Sequence, residues 1–141
     1  MQLDRAIFLL RIALGICFVW FGVLKFFPQM SPAEQLATMT MDVLTFSLIP
    51  SAIAMKLLAL WEMLIGIGFI LGKKLHLVLA LFLVHMTLTF TPLIFFPEIC
   101  FVDAPYALTL VAQYIIKNMV LIMGGVIVYI FDKQNNPHKG E

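Results

Sequence analysis

Glu62, His85 and the adjacent pair Lys117-Asn118 are polar side chains set deep within long apolar stretches of a 141-residue chain. A carboxylate, an imidazole and an ammonium brought together away from water could relay a proton, hold an anion or polar ligand, or neutralise one another. Arg11, Lys25, Gln113 and Tyr114 lie within or beside the same stretches and could join them. Which chemistry is open depends on the elements that carry these groups.

Composition identifies those elements. The chain is 62% hydrophobic and 12% charged, with a mean hydropathy of +1.03. Soluble domains are about half apolar and about a quarter charged, so that class is excluded. The apolar residues fall into blocks at 6–27, 50–71, 75–96 and 107–131, each near the roughly 20 residues that cross a bilayer as helix. The expectation is an all-α membrane protein: a four-transmembrane-helix bundle, residues 1–141 forming one domain, with no soluble head. The first block exceeds the length of a signal h-region and no clear small-x-small cleavage site follows it, so it reads as a retained span.

Charge sets the expected orientation. Arg5, Lys73, Lys74, Lys133 and Lys139 border the spans on one side, whereas 28–49 and 97–105 contain only acidic charges, Glu34, Asp42, Glu98 and Asp103. The positive-inside rule then places both termini and the Lys73-Lys74 turn in the cytoplasm, in a cell (inner) membrane. A net charge of +1 argues against a nucleic-acid partner; the expected partners are the lipid bilayer and a protein subunit or a second copy.

The first outer connection carries a short amphipathic helix. Ser31-Pro32-Ala33-Glu34 fits a capping box, with Ser31 as N-cap and Pro32 at the first helical position. Leu36, Met39, Val43 and Phe46 then share one face. That helix either lies on the outer membrane surface or packs over the mouth of the bundle. Pro92 should kink the third span near its outer end. Cys17 and Cys100 sit at different depths, which argues against a disulfide; Cys17 reads as a small buried hydrophobe and Cys100 as part of a packed loop. Trp20 and Trp61 read as packing residues. No Cys/His spacing suggests a metal site.

Counting about 1.5 Å per residue through about 30 Å of hydrocarbon puts Glu62, His85, Lys117 and Asn118 near mid-depth. Arg11, Lys25 and Lys56 lie towards span ends, where long side chains ordinarily snorkel. Arg11, Gly15, Phe18, Gly22 and Lys25 fall at helical spacing, as do Glu62, Gly66, Phe69 and Lys73. His85 and Thr89 share a face; Gln113 aligns with Lys117, and Tyr114 with Asn118, with Gly124 and Gly125 continuing that side. Glycines on polar faces suit close packing in a membrane. These stripes are therefore expected to face each other, with Glu62 compensating Lys117 and with Asn118, Gln113, Tyr114 and His85 completing the hydrogen bonds. The pair would serve either as a structural staple or as a binding or proton-handling site.

At these residues the chain resembles the DoxX-like family of small four-helix membrane proteins. The resemblance rests on Arg11-x3-Gly15, Phe21-Gly22-x2-Lys25-Phe26, Glu62-x3-Gly66, Gly72, Lys117-Asn118 and Gly124-Gly125. His85, Pro92 and the 31–49 insertion have no counterpart in it. The resemblance implies a membrane partner of redox systems, quinone-linked or serving thiol and oxidative-stress defence, and in related eukaryotic proteins an assembly factor. It implies no catalytic residues. The chain shows no haem-ligand pair, flavin motif or redox dithiol, so catalysis by the chain alone is not expected. Three functions follow as expectations: an accessory or anchor subunit of a redox complex whose polar interior holds a quinone; a small transporter or channel with a path along Glu62, His85 and Lys117; or an assembly factor gripping its client through residues 31–47.

Overall fold

The computed structural model describes residues 2–27, 30 and 33–135. Ser31, Pro32 and Lys139, and with them most of the capping-box reading, lie outside the described residues. The chain is all-α in its long elements, and four helices are long and apolar enough to cross a membrane.

The first is α1, Leu3–Leu24. A shorter helix α2, Glu34–Leu44, leads into α3, Ser51–Leu71. Gly72 ends α3 in the left-handed conformation at φ +65°, which glycine adopts without steric penalty. The next helix, α4, covers Leu75–Thr89. Pro92 has no amide hydrogen to continue its ladder, so the chain restarts as α5, Pro92–Phe95, with the proline in the first turn. That break is the expected kink. Pro97 likewise opens α6, Pro97–Cys100. A small antiparallel pair follows, β1 (Phe101–Asp103) with β2 (Ala107–Leu108). The last helix, α7, spans Leu110–Asn135. The fourth apolar block thus loses its first residues to a strand, because Thr109 turns back to bond the Cys100 carbonyl.

Helices α1 and α3 form the tightest seam, and they run antiparallel. Gly22 lies against Ala59 and Met63, and Gly15 against Gly66 and Ile70. Lipid offers no hydrophobic drive for helices to associate, so close backbone contact at small residues supplies the packing. α7 packs on both α1 and α4, and α3 on α4. The principal core contains Leu14, Phe18, Ile65, Phe69, Phe82, Met86 and Val128, with Phe82 edge-on to both Phe18 and Phe69 at centroid distances of 5.4 and 5.3 Å. A second core joins Leu36 of α2 to Cys100, Ala112 and Ile115. These two cores mark opposite ends. Asp4, Arg11, Gly72, Asp132 and Asn135 line one cleft, which brings the start of α1, the α3–α4 turn and the end of α7 together.

Several expectations change here. α2 rests on α3 and α5 and buries Leu36 and Thr40, so it packs over the helices. Val43 is exposed and Phe46 is 84% exposed. The helix stops at Leu44, and Phe46 and Ser47 take positive φ values of 52° and 55°, which carries Phe46 off the proposed stripe. Cys17 and Trp20 are exposed, not buried packing residues. At about 100° per residue they fall off the Leu14–Gly15–Phe18–Gly22 face that α1 turns inward. Trp61 is half-buried and donates from Nε1 to the Leu81 carbonyl at 3.3 Å. Cys100 is fully buried, with its thiol 3.4 Å from the Pro92 carbonyl. Burial, with a smaller contribution from the Glu98 charge, pushes that thiol's pKa up.

Candidate functional site

The polar groups that converge are Lys25, Glu62 and His85. Glu62 sits halfway along α3 on the inward face shared with Ala59, Ile65, Gly66 and Phe69. His85 occupies the inward face of α4 beside Phe82 and Met86. Lys25 is the residue that ends α1. Its Nζ donates to Glu62 Oε2 at 2.6 Å, and His85 Nε2 lies 3.3 Å from Glu62 Oε1. Each carboxylate oxygen thus faces a nitrogen from a different helix. The group is closed off: Glu62 is 6% and His85 4% exposed. Phe18 and Trp61 flank the imidazole at centroid distances of 5.6 and 6.0 Å.

Lys25 does not snorkel outward. The nearest way for its charge to be satisfied is inward, because Gly22 lets α1 approach α3 closely enough for the ammonium to reach back to Glu62. A charge-assisted bond away from water is stronger than one shared with solvent. The α1–α3 seam thus joins one positive and one negative charge, with the imidazole taking the remaining oxygen.

Glu62 therefore does not compensate Lys117. Lys117 is exposed on α7, and its ammonium lies 5.1 Å from the centroid of the Tyr114 ring, itself 58% exposed. Gln113 is exposed too, and its amide reaches only the Leu108 carbonyl at 3.4 Å. The reason is angular. The buried stripe of α7 is Ala112, Ile115, Gly124, Gly125 and Val128, and Asn118 borders it, whereas Gln113, Tyr114 and Lys117 point elsewhere. Asn118 alone of this quartet turns towards a neighbouring span: its Nδ2 donates to Thr89 Oγ1 at 3.1 Å, and that hydroxyl donates to the Met86 carbonyl at 2.7 Å.

Arg11 works separately, near the other end of α1. Its guanidinium donates to the Phe69 carbonyl at 2.9 Å and the Ile70 carbonyl at 3.3 Å. These are last-turn oxygens of α3, left without intrahelical partners and carrying the negative end of the helix dipole. A side chain at Gly72 would run into that guanidinium. Arg11 is thus a cross-helix cap for α3, and it also lies 5.3 Å from the Phe8 ring centroid.

Among the described residues no group of three His, Cys, Asp or Glu side chains could hold a metal ion. Clefts on the surface include two away from the polar cluster. One is the Arg11 cleft, of about 240 Å³; the other is an apolar groove of about 330 Å³ lined by Ile16, Val19, Trp20, Val23, Leu24 and Ile70. Neither contains Glu62, His85 or Lys117. Sequence reasoning placed Glu62 and His85 correctly at one depth and paired the carboxylate with the wrong lysine. No protein family, no curated protein and no solved structure matches the chain in comparison with known proteins.

Proposed function

We propose that the chain is a membrane-embedded accessory or anchor subunit of a redox system, its four spans forming a bundle with both termini in the cytoplasm. The observation that carries the accessory reading is the closed Lys25–Glu62–His85 cluster. Both oxygens of the Glu62 carboxylate already face a lysine or histidine nitrogen of the chain, so the interior charges hold helices together rather than wait for a ligand. A transport path along Glu62, His85 and Lys117 would need all three to face one conduit, and Lys117 faces away. The orientation is supported by Arg5, Lys73, Lys74 and Lys133 at one end of the helices and acidic connections at the other. The redox link is supported by the DoxX-like resemblance, whose glycines and charges largely build the α1–α3 seam.

The test has two arms. The tagged chain, expressed at native level and extracted in mild detergent, should co-purify in stoichiometric amount with a flavin- or metal-containing redox enzyme. The chain purified alone and reconstituted into proteoliposomes with an enclosed pH dye should carry no proton flux above empty vesicles. Flux abolished by Glu62→Gln would overturn the accessory reading in favour of transport.

A further inference from the structure

Several charged side chains have been built into the spans, and two of them, Lys56 and Lys117, are exposed; Lys56 lies five residues past the start of α3, and Lys117 is the deeper of the two. Glu62 has Lys25 and His85, and Arg11 has the α3 carbonyls. Lys117 stands apart. Of the described residues none forms an ion pair with it, and its ammonium lies over the Tyr114 ring. It lies seven residues into α7, roughly 10 Å from the first residue at about 1.5 Å each. The ammonium is held at the level of Tyr114, still about 6 Å of helix short of that end.

We propose that this face of α7 is the docking surface for a transmembrane helix of another protein, and that this helix carries an aspartate or glutamate opposite Lys117. The surface is built for such contact. Gln113 and Lys117 lie one turn apart on an otherwise apolar face with Ile116, Met119, Val120 and Met123, all exposed. Polar side chains bind helices to one another in lipid, where no water competes. Methionines adapt to the shape of a partner. A lysine left facing hydrocarbon is costly, and an opposed carboxylate removes much of that penalty.

The occupant is not a second copy of this chain. Two α7 faces meeting symmetrically would set Lys117 against Lys117. Nor can another face of a second copy supply the acid. Apart from the buried Glu62, the described carboxylates Asp4, Glu34, Asp42, Glu98, Asp103 and Asp132 lie at helix ends, in the short outer helices or in the hairpin. Among the described residues no other carboxylate lies at mid-span, so the acid is assigned to a different polypeptide. The inference rests on the accessory reading, since it names the surface through which that subunit meets its partner.

The experiment uses the full chain in native membranes with p-benzoylphenylalanine placed at Val120, and separately at Trp20 on the exposed side of α1 as a control. Irradiation from Val120 should give one discrete adduct with a membrane protein, mapped to a transmembrane segment containing Asp or Glu. Lys117→Met should reduce that adduct at least tenfold while the chain keeps its elution volume and helicity. Lys117→Glu should restore it only when the partner's acid is changed to lysine. An adduct indifferent to Lys117→Met, a self-adduct, or adducts with lipid alone at Val120 would overturn the proposal. The same redox partner captured from Trp20 but not from Val120 would overturn this surface and leave the accessory reading standing. No protein adduct from either position, together with proton flux by the isolated chain, would sink both.

Discussion

Glu62→Ala is expected to be the most damaging single side-chain truncation in the spans. It leaves the Lys25 ammonium and the His85 ring among apolar groups, each without the oxygen it now faces. Breaking a buried pair by removing one partner costs about 3–5 kcal/mol, against a total stability of about 5–15 kcal/mol for a folded domain. Most of the protein should therefore aggregate or fail to accumulate in the membrane. Glu62→Gln keeps an acceptor for one donor and should lose less. Thermal unfolding in detergent, followed by far-ultraviolet circular dichroism, would rank wild type above Gln and Gln above Ala. Equal melting of Ala and wild type would mean that the cluster holds nothing together.

The second large effect is expected at the α1–α3 seam. A Cβ on Gly66 would lie 2.6 Å from the Val19 backbone nitrogen and 2.7 Å from the Gly15 carbonyl oxygen. Both obstacles are main chain, which cannot rotate out of the way. Gly66→Val adds two further methyl groups and must push the helices apart, which also lengthens the Lys25–Glu62 bond. Overpacking costs about 1–3 kcal/mol where neighbours can shift; with backbone on both sides the upper end or beyond is expected. Gly124→Ala is the matched control, because a Cβ there meets Leu10 and Leu14 methyl groups at 3.6 and 3.7 Å, ordinary contact distances. Size-exclusion profiles of the two variants should differ: Gly66→Val aggregated, Gly124→Ala monodisperse as wild type. A well-behaved Gly66→Val would show that the seam is looser than these distances require.

The spans were legible because apolar length is a strong signal, although α1 lies three residues earlier than its apolar block and α7 runs four residues beyond its own. The Thr109 turn took the start of the fourth block, whereas α3 ends at Leu71 as expected, with Gly72 left-handed after it. The inward faces of α1 and α3 were legible as well, since glycines and charges share each stripe. Those two stripes already set Lys25 opposite Glu62. Treating a lysine near a span end as a snorkelling anchor hid that pairing, because depth of the Cα says little about where a flexible four-carbon stem puts its charge. On α7 adjacent residues diverge by about 100°, so Lys117 and Asn118 could not both face inward. The glycines did not decide between them, since Gly124 aligns with Lys117 and Gly125 with Asn118. At this level the packed face is set by Ala112 and Ile115, and Asn118 lies about 60° from Ile115 whereas Lys117 lies about 160° from it. The direction taken by α2 after Leu44 was not legible, because positive φ at Phe46 and Ser47 is a conformation their residue types do not announce.

The most direct measurement is a pair of double-mutant cycles on unfolding stability in detergent. One cycle combines Glu62→Gln with Lys25→Met, and the other combines Glu62→Gln with Lys117→Met. Groups in contact couple by about 0.5–3 kcal/mol, and independent ones add to within about 0.5 kcal/mol. The 2.6 Å bond predicts coupling in the Lys25 cycle, with the double variant recovering much of the loss caused by Glu62→Gln alone. It predicts simple additivity in the Lys117 cycle. Coupling between Glu62 and Lys117, with none between Glu62 and Lys25, would contradict the closed interior and the outward role of α7 together.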